Sequence, residues 1–136
     1  MLSPDALLSF DKKELPQAAV TLLPEDIGQL VQWLAEKNDD IRYRAFLLLQ
    51  QRALAHDDVY PYWNVFLEKL KSPNSYQRSI GLMLMAENAK WDVHGKFDAS
   101  LDLYLSFCDD EKPVTVRQCI QGLLKVIRTG RIFVGL

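Results

Sequence analysis

One helical pattern recurs along this chain, and the length of its period restricts the fold more than any other feature. Ile27, Leu30, Val31 and Leu34 reappear thirty-six residues later as Trp63, Phe66, Leu67 and Leu70, and Arg42 reappears as Arg78. At plus 38 the apolar set returns as Leu101, Tyr104, Leu105 and Cys108, and at plus 39 the arginine returns as Arg117. The i, i+3, i+4, i+7 spacing places each set on one face of a helix. A period of this length belongs to stacked helix pairs, in which no single pair can bury its apolar face alone.

The turn signals divide the chain accordingly. Residues 1–23, broken near Pro16, do not fit the frame and are expected to cap the array with one or two short helices. The first repeat, 24–59, opens at Pro24, where a missing N–H has no intrahelical partner, with Glu25 and Asp26 at the positive end of the dipole. Lys37-Asn38-Asp39 turns the chain, with Asp39 or Asp40 as the expected cap of a second helix from about Ile41 to Ala55. That helix carries Ile41, Ala45, Phe46, Leu47, Leu48 and Leu49 and must be covered on two sides.

The second repeat, 60–97, follows the same plan, with a helix opening at Pro61 and a turn at Ser72-Pro73-Asn74-Ser75. Its inner helix, about Tyr76 to Lys90, sets Gly81, Leu84 and Met85 where the first has Ala45, Leu48 and Leu49. The third, 98–130, turns at Asp109–Pro113 and has Ile120 in the small-residue slot, with Gly122 offering a close approach nearby. Thr129-Gly130 is a helix stop. Residues 131–136 form an apolar tail.

Composition narrows the function classes. Apolar residues make up 49% of 136 and charged residues 25%, a globular balance, and the net charge of −2 supplies no cationic field for nucleic acid. The apolar stretches Ala45–Leu49 and Gly81–Ala86 fall far short of the roughly 20 residues that span a bilayer. The first ten residues lack a basic, then apolar, leader pattern, so no secretory signal is expected and the expected compartment is cytoplasmic. Cys108 and Cys119 are too few for a disulfide framework and lie outside common metal-ligand spacings, so buried reduced thiols are expected. No nucleophile motif, phosphate loop or carboxylate pair stands out, and neither an enzyme activity nor a cofactor or metal is expected.

Around the turns the copies read Glu36-Lys37-Asn38-Asp39-Asp40-Ile41-Arg42, Ser72-Pro73-Asn74-Ser75-Tyr76-Gln77-Arg78 and Glu111-Lys112-Pro113-Val114-Thr115-Val116-Arg117. The first and third resemble the HEAT-repeat signature of an acidic residue, a polar turn, then an aliphatic residue and arginine. The second departs from it at Ser72 and Gln77. The resemblance covers about Pro24 to Arg128, and the whole chain is similar to small bacterial HEAT-like proteins. It implies an all-α, right-handed α-α superhelix of about three antiparallel helix pairs with an N-terminal helical cap, an armadillo-type fold. It also implies a structural ladder in which Arg42, Arg78 and Arg117 reach acidic turn residues, because one guanidinium fork satisfies several acceptors.

The expected function is that of a non-catalytic scaffold or adaptor that takes a protein or peptide on its concave face. Arg44, Gln51, Glu87, Lys125 and Arg128 on the inner helices are its candidate contacts. An alternative comes from DNA alkylation-repair glycosylases, also built of HEAT-like repeats, which use tryptophans and an aspartate around a damaged nucleotide. Trp63, Trp91 and Asp92 invite that comparison, although Trp63 occupies a core slot. His56, Asp57, Asp58, Asp92 and His94 fall in equivalent loops, where carboxylates and imidazoles serve as caps and solubilising groups more often than as metal ligands. Tyr62, out of phase with the core stripe, is a further candidate surface contact.

The tail contributes Ile132, Phe133 and Val134 as a candidate interface, since it has no polar outer face. It either folds back on the last pair or meets another molecule, including a second copy. Light scattering on the full chain and on a version ending at Gly130 separates these: the interface reading expects a dimer that the shorter version loses.

Overall fold

The computed structural model describes residues 2–130, and among them every regular element is helical. Ile132, Phe133 and Val134 lie outside the described residues. The chain forms two compact units, one ending at Pro61 and the other beginning at Tyr62.

The first unit contains α1 (Pro4–Ser9), α2 (Leu15–Val20), α3 (Pro24–Trp33) and α4 (Asp39–Ala53). Ser3 caps α1 by accepting the Ala6 N–H at 3.1 Å. Pro16 stands in the first turn of α2, where its fixed φ suits a start, so it opens that helix instead of breaking one. Pro24 opens α3 as expected, and Asp26 accepts the N–H groups of Leu23 at 2.9 Å and Leu2 at 3.0 Å. The cap of α4 is Asn38, not Asp39 or Asp40; its Oδ1 accepts the N–H groups of Asp40 and Ile41. α4 packs against α3 on one side and α1 and α2 on the other. Its wide stripe requires that double cover, and Ala45, Leu48, Leu49 and Ala53 are wholly buried.

A 3-10 turn, Tyr60–Tyr62, then precedes α5 (Trp63–Lys69), so this helix starts two residues later than Pro61 predicted. The rest of the second unit comprises α6 (Ser75–Asn88), α7 (Lys96–Ala99), α8 (Leu101–Ser106) and α9 (Pro113–Thr129). Asn74 caps α6 through the N–H groups of Tyr76 and Gln77, thirty-six residues after Asn38 does the same for α4. α6 lies between α5 and α9. Gly130, at φ 70° and ψ 13°, ends α9 in the left-handed conformation that glycine adopts without strain.

The third copy departs from its predicted register. In place of one outer helix there are two short ones, and a 3-10 turn at Phe107–Asp109 leads towards α9. Asp92 nucleates α7 by accepting the N–H groups of Lys96 at 3.0 Å and Phe97 at 2.8 Å. This brings Phe97 into the core, where it meets Trp63 edge-on at 6.1 Å and Tyr104 at 4.9 Å. Phe97, Tyr104 and Phe107 are buried, whereas Leu105 faces out. On α9 the inward row is Thr115, Cys119, Gly122 and Val126, and Ile120 is exposed.

Two glycines set the helix spacings in this unit. A Cβ on Gly81 would stand 2.6 Å from the Phe66 carbonyl oxygen of α5. A Cβ on Gly122 would stand 2.0 Å from the Tyr104 Oη, which donates to the Leu82 carbonyl of α6 at 2.9 Å. Overpacking costs about 1–3 kcal/mol, and displacing Tyr104 adds the loss of its hydrogen bond, about 1 kcal/mol. The gain in helix propensity from glycine to alanine, about 1 kcal/mol, is smaller than that sum. Gly122→Ala is therefore expected to lower unfolding free energy by about 1–3 kcal/mol in urea titrations, and Gly81→Ala, which leaves Tyr104 in place, by up to about 2 kcal/mol.

Candidate functional site

The charged residues sort into those occupied by the fold and those presented to solvent. Arg78 is buried on α6 and donates through Nη1 to the Ser72 and Pro73 carbonyls, at 3.1 and 3.0 Å. Its Nη2 donates to Asp110 Oδ2 at 3.0 Å, joining the turn before α6 to the turn before α9. The acid absent at Ser72 is thus supplied by the following turn. Arg42 bonds within its own turn, to the Asp39 carboxylate and to the Glu36 carbonyl at 3.0 Å. Arg117 is exposed, with no ion pair among the described residues.

Arg52 has a role that sequence reasoning missed. Buried at the end of α4, it donates to both Asp58 oxygens, at 2.8 Å from Nη2 and 3.1 Å from Nε. Its Nη1 reaches the carbonyls of Ala19 and Val20 at 2.9 and 3.2 Å, satisfying the open end of α2. The sequence held a signal: Ala45, Leu48, Leu49 and Arg52 follow i, i+3, i+4, i+7, and a charge closing an apolar stripe needs a buried partner.

These pairs shift the carboxylates. Hydrogen bonds from Arg52 hold Asp58 below the usual 3.8, against desolvation. At Asp110 burial pushes upward, but the Arg78 hydrogen bond, the Lys112 N–H and Thr115 outweigh it, and the carboxyl lies below 3.8. Burial also lowers Lys69 and raises the Tyr104 hydroxyl.

The candidate contacts divide similarly. Arg44 is half-buried and donates to the Phe10 carbonyl, and Gln51 is half-buried on the same helix. The structure brings together Glu87 and Lys125: the buried carboxylate accepts the ammonium at 3.0 Å, and Lys125 stays 45% exposed. Arg128 is exposed on the last turn of α9. Trp63 is a core residue, and Trp91 is half-buried with Lys90 Nζ 5.3 Å from its ring centre. Asp92 is buried, and its two oxygens accept the Lys96 and Phe97 N–H groups at the start of α7. Among the described residues no group of three or more His, Cys, Asp or Glu side chains is placed to hold a metal ion. Among the same residues no helix is long and apolar enough to cross a membrane.

The outward side of α9 is the surface that the repeat frame did not anticipate. Ile120, Leu124 and Ile127 follow i, i+4, i+7 and are 47%, 51% and 48% exposed. Arg117, Arg128 and Lys125 run along the adjacent strip, and Pro113–Thr129 contains no acidic residue. The sequence does carry this pattern, in the surplus of aliphatic residues beyond those one buried face requires.

The fold defines an all-helical protein in which central helices are covered on two sides. No family model matches the chain, and neither does a curated protein or a solved structure.

The carboxylate shifts predict an acid-labile fold. A group whose folded pKa is depressed stabilises the protein above its unfolded value, here 3.8, and that contribution is lost as pH falls through the lower folded value. Urea midpoints are therefore expected to drop between about pH 6 and about pH 3. Asp110→Ala, which leaves Arg78 buried without its counter-charge, is expected to cost about 3 kcal/mol at neutral pH and to shrink the acid-induced loss.

Proposed function

We propose that this chain is a non-catalytic helical-repeat module, its helix pairs stacked as an α-α superhelix, that binds a protein partner presenting an acidic amphipathic helix. The observation that carries the proposal is the outward face of α9, where Ile120, Leu124 and Ile127 lie beside Arg117 and Arg128. An apolar row at helical spacing is complementary to the apolar face of another helix, which packs ridges into grooves. The cationic strip selects acidic flanks on that partner, and charge complementarity of this kind acts mainly on encounter rate and specificity.

The stacking part of the proposal is supported by three features. Asn38 and Asn74 cap equivalent helices at the thirty-six-residue interval. Gly81 gives α5 and α6 their close approach, as the small residue in that slot was expected to do. Arg78 ties one turn to the next. On the binding side, Glu87 and Lys125 satisfy each other, Arg44 is engaged with Phe10 and Gln51 is half-buried, whereas the exposure of Arg128 supports a role for it in contacting a partner.

A fluorescein-labelled helical peptide with leucines at i, i+4 and i+7 and glutamates on both flanks is the probe. Anisotropy is expected to show binding that weakens with salt, and at least about tenfold loss in Leu124→Asp or Arg128→Glu. Binding unchanged in both variants places the contact elsewhere. Self-association that Leu124→Asp abolishes, with no peptide binding, makes a second copy the occupant instead.

A further inference from the structure

Eleven residues separate Cys108 from Cys119, yet their Sγ atoms lie 3.3 Å apart, one in the 3-10 turn Phe107–Asp109 and the other on the inward row of α9. Both are free thiols. A disulfide requires a separation of about 2.0 Å, so each sulfur has to move by well under about 1 Å, within the range of a side-chain rotation. The two thiols differ in access. Cys108 is partly exposed, while Cys119 is fully buried and its S–H donates to the Tyr104 carbonyl at 3.1 Å. Burial, with the neighbouring Cys108 sulfur, pushes the Cys119 thiol up to about 12. An accessible sulfur beside a sheltered one is the arrangement in which the first meets the oxidant and the second resolves the product.

We propose that Cys108 and Cys119 are a peroxide-sensitive modification site that forms a reversible intramolecular disulfide. The Cys108 thiolate attacks one oxygen of hydrogen peroxide, the O–O bond breaks, and the departing hydroxide takes up a proton to leave as water. This step oxidises Cys108 to a sulfenic acid. The Cys119 sulfur then attacks the Cys108 sulfur, the S–O bond breaks as the S–S bond forms, and the leaving hydroxide takes the Cys119 proton. Two thiols and one peroxide become one disulfide and two waters, with two electrons passing from sulfur to peroxide. A small dithiol reverses the change. The bridge encloses the turn that carries Asp110, the acceptor of Arg78, and so fastens that turn to α9 covalently. The Tyr104 carbonyl loses the S–H donor but keeps the N–H of Phe107.

The test uses the full native chain, hydrogen peroxide, and alkylation of remaining thiols after unfolding, read by intact mass. The expected product has lost two hydrogens, takes up no alkylating agent, yields a linked 108–119 peptide and reverts with dithiothreitol. Formation is expected at least about tenfold faster in native protein than in urea, because the fold and not the short intervening chain supplies the proximity. Cys119→Ala, checked for native helicity by circular dichroism, is expected to accumulate a Cys108 sulfenic acid that dimedone traps. Two alkylated thiols after native exposure overturn the proposal, as does disulfide formation no faster in native protein than in urea.

Discussion

A helix with apolar side chains around most of its circumference cannot leave either side in water, and α4 and α6 are both of this kind. Each therefore sits between neighbours: α4 between α3 and the pair α1 and α2, α6 between α5 and α9. Most other features follow from that demand. Gly81 and Gly122 exist where a neighbour has to come within a methyl group's reach of the backbone, and Tyr104 fills the space that Gly122 leaves. Burial of an α6 face that still contains Arg78 then requires the Ser72 and Pro73 carbonyls and Asp110 to converge on its guanidinium.

The buried polar residues share one task, the fastening of turns and helix ends to central helices. Arg52 holds the carbonyl end of α2 and the Asp58 loop, Arg78 holds two turns, and Asp92 starts α7. Their hydrogen bonds are spent within the fold, so removing one partner is costly and these residues are weak candidates for ligand contact. One surface that the fold leaves open is the outward side of α9. Its outward row is aliphatic, its flank is cationic, and no acid on the helix neutralises it. The same helix carries Cys119 on its inward row, so surface and thiol pair share one element on opposite sides.

Much of the helical plan was legible from residue types. The start at Pro24, the stop at Gly130 and the double cover of α4 follow from proline chemistry, glycine conformational freedom and stripe width, whereas Pro113, read as the last residue of a turn, opens α9. The asparagine caps were less legible, because Asp39 and Asp40 are equally competent acceptors and local geometry chose Asn38. The third copy was misread because Leu101, Leu105 and Ile120 satisfy the helical period as well as Phe97, Phe107 and Cys119 do. Periodicity counts apolar residues but does not say which of two adjacent apolar rows a neighbour will cover. That ambiguity is absent in α3, where the alternative row, Gln29 and Gln32, is polar.

The sequence by itself determined that this chain is helical, where α3 begins and α9 ends, and which faces of α3 to α6 turn inward. These are decided locally, by caps, prolines and a repeating apolar stripe. Tertiary structure alone decided the register of the third copy, the partners of Arg52 and Arg78, the capping role of Asp92 and the meeting of Cys108 with Cys119. Each of those depends on which atoms distant segments bring into reach, and a guanidinium, a carboxylate or a thiol has no preferred partner until packing supplies one.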